Sequence, residues 1–261
     1  MKPIIDVQNL EFSYGEKPVL DKINLSIDEG TFVSIIGPNG SGKTTLLKNI
    51  SGILDPVSGN ISFKGKEIRK YKKRELARHL AFVSQNTQVD FNFTVMDIVL
   101  MGRAPYMGPF ESETIKDIEI AEKVMNMTNI YELKNKKITE ISGGERQRVI
   151  IACALAQTPE VILLDEPVSN LDIQHQVDVL GILKKLNREN NMTVVTVLHD
   201  LNLAAEFSDI IMLLKEGKML YSGTPFEVIT TVNIENAYKT SVFMTKNPVS
   251  GNPHIIPIFK V

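Results

Sequence analysis

Apolar and polar positions alternate from Ile4 to Tyr14 and again from Lys22 to Ile27, with Gly15-Glu16-Lys17-Pro18 between them. A period of two buries one face of a strand and wets the other, so the pattern predicts two strands joined by a turn. Thr31 to Ile36, Leu80 to Val83, Val161 to Leu164 and Thr193 to Leu198 are short apolar runs instead. Such runs suit strands covered on both faces, as in a parallel sheet. Asp55 to Gly59 reads as a turn before a strand at Asn60 to Phe63, and Ile210 to Leu214 with Met219 to Ser222 flanks a hairpin turn at Lys215-Glu216-Gly217-Lys218. Helical spacing covers Thr45 to Ile50, and a second helix begins at the Thr94/Asp97 capping box and ends at Gly102. A third is predicted over Glu111 to Met127, with Ile115, Ile118, Ile120, Ala121, Val124 and Met125 among its apolar positions. Two more helices start at the Ser142/Glu145 pair and at Ile173, the latter running to Asn190.

Strand and helix signals alternate up to about residue 85 and again from about 157, while the intervening stretch is helical throughout. The expectation is an α/β core over 1–85 and 157–240, a helical subdomain inserted at 86–156, and an extended tail over 241–261, all within one domain.

The chain has 261 residues, with 29 Lys plus Arg against 31 Asp plus Glu, so no net field draws it to nucleic acid or to an anionic membrane. The basic cluster from Lys64 to Arg78 is diluted by Glu67 and Glu75 and reads as a solvated face. No apolar stretch approaches the roughly 20 residues that cross a bilayer, and no signal-peptide core opens the chain, which places it in the cytosol. The lone Cys153 lies in an apolar run and reads as a small buried hydrophobe; the four histidines are too scattered for a metal site.

The chemistry begins at Gly37-Pro38-Asn39-Gly40-Ser41-Gly42-Lys43-Thr44-Thr45, between an apolar run and a helical segment. Glycines let a tight loop turn successive N–H groups inward, and the helix N-terminus adds positive partial charge, which together make a phosphate cradle. In this pattern Lys43 reaches the β- and γ-phosphates and the Thr44 hydroxyl ligates Mg²⁺. Ser142-Gly143-Gly144-Glu145 places two glycines at a helix start, a candidate second anion site; ordinary capping accounts for Ser142 and Glu145 but not for the glycines. Asp165 and Glu166 close the apolar run from Val161, where Asp165 can help hold Mg²⁺ through water and Glu166 can orient or deprotonate the attacking water. His199 closes another strand at the same expected sheet edge. Tyr14, beside the first turn, suits base stacking and core packing equally from local sequence.

The ordered set of Gly37 to Thr44, Gln85, Ser142 to Glu145, Val161 to Glu166, Ser169 to Asp172 and His199 resembles the ATP-binding subunit of ABC transporters over nearly the whole chain. The likeness implies a P-loop NTPase core of ABC ATPase type with an N-terminal antiparallel β region and an inserted α-helical subdomain. In it these stretches correspond to the Walker A loop, Q-loop, signature, Walker B strand, D-loop and switch histidine. Ile141 and Glu145 depart from the family's leucine and glutamine. The resemblance further implies Gln85 sensing Mg²⁺ and water, His199 at the γ-phosphate, Tyr14 on the adenine and Asp172 in contacts across a dimer. ATP and Mg²⁺ are the implied ligands, and Lys43, Gln85, Glu166 and His199 the catalytic set. Two copies would pair head to tail, with ATP between the Walker A loop of one and Ser142, Gly143 and Gly144 of the other.

Thr94 to Arg103, Leu171 to Gln176, His199 to Ala205 and the tail at Ile256-Pro257 are similar to importers of iron-siderophores, haem and cobalamin. That implies permease subunits as partners, a substrate-binding protein acting indirectly, no nucleic acid, and a peripheral position on the cytoplasmic face of the membrane. The segment from Asn86 to Pro109, with Phe91, Phe93, Tyr106 and Met107, is a candidate permease dock, although those aromatics equally suit subdomain core. A molybdate or tungstate importer and a soluble ATPase of iron–sulfur cluster assembly stand as alternatives.

Overall fold

The computed structural model describes residues 3–85, 92–108 and 110–259. In chain order the elements are β1 (Ile5–Tyr14), β2 (Lys17–Ile27), β3 (Phe32–Ile36), α1 (Lys43–Ile50), β4 (Ser58–Phe63), β5 (Lys66–Glu67), α2 (Lys73–Leu76) and β6 (Leu80–Val83). There follow α3 (Val95–Met101), α4 (Ile115–Met127), α5 (Gly143–Ala156), β7 (Val161–Asp165), α6 (Ile173–Asn190), β8 (Thr193–Val197) and α7 (Leu201–Phe207). The chain ends with β9 (Ile210–Lys215), β10 (Lys218–Gly223), α8 (Pro225–Val228), α9 (Thr231–Tyr238), β11 (Val242–Lys246) and β12 (Pro253–Pro257). Two compact units emerge, one of residues 1–71 with 193–261, the other of residues 72–192.

In the first unit, β1 pairs antiparallel with β2 on one side and β4 on the other. Their inward positions, among them Ile5, Val7, Leu10, Ile23 and Ile27, are buried, as the period-two pattern requires. β3 runs parallel to β8 and to β9 and is buried at every position, which explains its unbroken apolar run. β9 turns antiparallel into β10. The C-terminal stretch expected only to be extended is a hairpin, β11 with β12, in which Val242 faces Pro257 and Lys246 faces Pro253. The carboxylate of Glu206 on α7 collects Asn247, Ser250 and Asn252 from its turn, at 2.7–3.2 Å.

In the second unit, β6 and β7 pair in parallel, Leu80 with Val161 through Val83 with Leu164. α3 starts at the expected Thr94/Asp97 capping box and stops at Gly102. There a Cβ would lie 2.0 Å from the Cys153 carbonyl oxygen, so only glycine permits this approach of α3 to α5. α4 begins at Ile115, four residues later than the pattern predicts, because Thr114 and Asp117 form a capping box. Its buried stripe is Asp117, Ala121, Val124 and Met125, whereas Ile115 and Ile118 are 78% and 40% exposed. Burial of Asp117 follows from pairing: Arg103 Nε lies 2.9 Å from its Oδ1 and Thr114 Oγ1 2.6 Å from its Oδ2. Arg103 also donates to the Ala156 carbonyl and stacks 3.9 Å from the Tyr106 ring centre. Tyr106, whose hydroxyl donates to Gln157 O at 2.8 Å, is thereby packed, while Phe93 is 38% exposed. Phe91 lies outside the described residues.

Candidate phosphate and catalytic site

β3 delivers the chain into the loop 37–42, and α1 begins at Lys43, two residues earlier than its apolar positions alone suggest. Gly37, Gly40 and Gly42 take φ of 148°, 76° and 100°, which glycine tolerates and a residue with Cβ resists. Gly37 has a second reason: a Cβ there would lie 2.1 Å from the carbonyl oxygen of Leu214 on β9. Gly42, the helix N-cap, has no side chain to offer as a cap, so the first N–H groups of α1 are left to another acceptor. The Lys43 ammonium, 6% exposed, donates to the carbonyls of Gly37 and Pro38 at 2.8 and 3.0 Å and so lies across the loop it is expected to serve. Asn39 and Gly40 form the exposed crest, Thr44 and Thr45 the first turn of α1. Ser41 is 2% exposed and its hydroxyl has no hydrogen-bond partner among the described residues, an orphan that a phosphate oxygen can satisfy. Positive-φ glycines, a helix start without a cap, an ammonium and an orphan hydroxyl together fit a nucleotide polyphosphate.

The loop is held from outside by the C-terminal part of the first unit. Gly217 N–H, in the β9–β10 turn, donates to Ser41 O at 3.1 Å. Tyr238, at the end of α9, has its phenol pushed up to about 12 by burial, opposed in part by the Gly37 backbone. Lys215 Nζ donates to Asn236 O at 2.7 Å, and a cavity of about 260 Å³ lies among Pro38, Ser41, Lys215, Ala237 and Tyr238. Sequence reasoning missed this brace; Thr224-Pro225 with Glu227, which does form a capping box, was the available signal for helices in that stretch. His199 follows β8, whose parallel register with β3 pairs Val197 with Ile35, so it ends at the same sheet edge as the phosphate loop. It is exposed there. Tyr14, at the end of β1, is 52% exposed and meets Phe12 edge to face at 4.9 Å; it is therefore not a core tyrosine.

In the second unit, β7 ends on Asp165, 2% exposed, and Glu166 follows with a left-handed φ of 52°. A non-glycine residue in that region is strained by roughly 1 kcal/mol or more, a cost often retained where a side chain must be aimed. Because Val83 and Leu164 are in register, Gln85 and Glu166 leave neighbouring strands two residues later. Gln85 Nε2 then donates to Glu166 Oε2 at 2.5 Å. The structure thus brings the Gln85 amide and the candidate base together, although they stand 81 positions apart in sequence. Ser169 closes the following turn by bonding Glu166 O at 3.2 Å, and Asp172 caps α6 by accepting from His175 N–H.

Ser142 caps α5 in a full capping box with Glu145, whose carboxylate accepts from both the N–H and the hydroxyl of Ser142 at 2.8 Å. Those bonds hold Glu145 below the usual carboxylate range. Gly143 is exposed with open space above its Cα, whereas Gly144 is buried beneath the His175 ring. The two glycines therefore have different reasons, one open access and the other close approach. Among the described residues no cluster of three His, Cys, Asp or Glu could hold a metal. Thr44, Gln85 and Asp165 are hard oxygen donors of the kind Mg²⁺ takes, one or two at a time, alongside phosphate and water. Cys153 is inert by comparison, its thiol pushed up to about 11 by burial.

Residues 20–169 match the family model described as ABC transporter. The chain is 38% identical over 251 residues to the ferric enterobactin transport ATP-binding protein FepC of Escherichia coli (strain K12), covering 96% of this chain and 93% of that one. It is 35% identical to the petrobactin import ATP-binding protein FpuD of Bacillus anthracis, covering 98% and 94%. Among solved structures, an ABC transporter chain described as metal-chelate type, in an inward-facing conformation, superposes with a TM-score of 0.88 at 30% identity, covering 99% of this chain and 98% of that chain. A dimeric ATP-binding cassette, MJ0796, in a post-hydrolysis state with ADP and Pi, superposes at 0.74 with 32% identity, covering 84% and 98%. ABC ATPases of this kind dimerise and pair with transmembrane permease subunits. With its phosphate loop, its strand-end acids and this similarity along almost its full length, the chain belongs to the ABC transporter family as an ATP-hydrolysing subunit.

Proposed function

We propose that this chain energises import of a metal chelate, an iron-siderophore, haem or cobalamin, through a partner permease. The observation that carries this reading is similarity over more than nine-tenths of the chain to subunits named for ferric enterobactin, petrobactin and cobalamin import. Those names favour a chelate over molybdate or tungstate, and a transporter over iron–sulfur assembly. Among the described residues no helix is long and apolar enough to cross a membrane, which supports a peripheral position, here assigned to the cytoplasmic face.

In the proposed reaction, amides of the loop 37–42, Ser41 and Lys43 bind the β- and γ-phosphates and offset their charge as the terminal P–O bond breaks. Tyr14 stacks on the base and His199 takes a γ-phosphate oxygen. Thr44, Asp165 and Gln85 are the residues that would hold Mg²⁺, which supplies further charge neutralisation when bound. Glu166, oriented by Gln85, accepts the proton of the attacking water. A second copy, packed head to tail, presents Ser142, Gly143 and Gly144 to the nucleotide, with Asp172 in the contact between copies. ATP then closes the pair and hydrolysis releases it, because the γ-phosphate is what both copies grip. Co-expression with candidate permeases tests the assignment. Co-purification from membranes with a permease, and chelate-stimulated ATP hydrolysis in liposomes, is the expected result; recovery with a cluster-assembly scaffold instead overturns it.

A further inference from the structure

His175 carries none of the site roles given above, yet it touches Asp172 and Gly144, which do. Asp172 Oδ1 accepts from the His175 backbone N–H at 2.9 Å and from the ring nitrogen Nδ1 at 2.7 Å. These bonds, the backbone one first, hold the Asp172 carboxyl below its usual range, so the oxygen is an ionised acceptor and the ring proton sits on Nδ1. Two bonds to one oxygen fix both the helix start and the ring. The opposite ring edge faces α5: a Cβ on Gly144 would lie 2.2 Å from Cδ2 and 2.8 Å from Nε2. Gly144 is in the first turn of a helix and is not among the residues of positive φ, so backbone conformation does not demand glycine there. The imidazole occupies the space that a Cβ would take. One turn further on, Arg148, four residues after Gly144, places its Nη1 3.8 Å from Oδ2 of Asp178, three residues after His175. The first turns of α5 and α6 therefore meet side by side and in the same sense.

We propose that His175 is a positioning residue that sets the spacing between Asp172 and the Ser142-Gly143-Gly144 turn, so that a second copy meets both as one rigid surface. This rests on the head-to-tail reading above. Without the ring, Asp172 loses the side-chain partner that orients it and Gly144 loses the wall it packs on, while the phosphate loop, which lies in the other unit, is untouched. The effect belongs to pairing of copies and not to nucleotide binding by one copy.

The test uses the full chain carrying Glu166→Gln, titrated with Mg²⁺-ATP, with the dimer fraction read by light scattering and ADP affinity measured in parallel. His175→Ala is expected to raise the ATP concentration for half-dimerisation about ten-fold, the lower end for losing a part-exposed hydrogen bond to a charged group, with ADP affinity unchanged. His175→Asn, whose amide can replace Nδ1, is expected to recover part of this. Gly144→Ala is expected to impair pairing strongly when His175 is present and less in the His175→Ala background, since the added methyl then has room. An unchanged ATP midpoint in His175→Ala, an equal loss of ADP affinity, or strict additivity of the two substitutions overturns the proposal. If the Glu166→Gln chain with His175 intact never pairs at saturating ATP, the head-to-tail reading itself fails and takes this proposal with it.

Discussion

Glu166 concentrates the argument at the level of single residues. Its backbone is left-handed and its carboxylate receives the Gln85 amide, an arrangement that costs strain and fixes direction. If it is the general base, Glu166→Gln loses roughly 10²- to 10⁴-fold in turnover while still binding ATP. Steady-state hydrolysis and nucleotide binding on one preparation check this, and near-normal turnover refutes the role. Tyr238 offers a subtler probe, since its buried phenol stands beside Pro38 and Ser41 of the phosphate loop. Tyr238→Phe keeps the ring and removes the hydroxyl, and is expected to weaken nucleotide affinity by about 5- to 10-fold, near the value of one neutral hydrogen bond. Equilibrium titration with a fluorescent nucleotide reads it directly.

Among the elements, the helical stretch ties the start of α4 down through a buried charge pair. Arg103, two residues past α3, reaches Asp117 in the first turn of α4, and both are at least nine-tenths buried. The hydrogen bonds from Thr114 and then from Arg103 lower the Asp117 carboxyl from 3.8 to about 2. A carboxyl depressed on folding stabilises the native state above its unfolded value, and the gain disappears as pH falls through the folded one. The window is therefore pH 4 down to 2, and the shift corresponds to about 2 kcal/mol. Asp117→Asn is expected to cost about 3 kcal/mol at pH 7, because Arg103 is left buried without its anion. Urea denaturation at pH 7 and at pH 2.5 should show the two proteins converging at the lower value; a constant gap would rule out this source of the pH dependence.

Taking the molecule as a whole, binding and stability are linked. A ligand held only by the folded chain stabilises it by about 2.7 kcal/mol at a hundred-fold excess over Kd, which for a chain of this size raises Tm by roughly 5–10 °C. Mg²⁺-ATP added to the Glu166→Gln chain is expected to give such a shift, and Lys43→Ala to abolish most of it. Calorimetric scans across a nucleotide series decide this, and an undiminished shift without Lys43 would discredit the phosphate-loop assignment.

Much of this was legible in the chain because it is encoded over a few neighbouring positions. The glycine spacing around Lys43, the capping boxes at Thr94 and Ser142, and the apolar runs that became β3, β6, β7 and β8 all depend on residues within one or two turns of each other. What tertiary structure alone decided involves partners far apart in the chain. Gln85 meets Glu166 because two strands share a register, Gly37 meets Tyr238 because α9 returns to the loop, and Asp117 is interior because Arg103 arrives from another helix. The reason is the range of the interactions: a backbone turn or a helix cap answers to its nearest neighbours, whereas a buried hydrogen bond or a contact over glycine exists only once packing has chosen which distant groups share a dry interior.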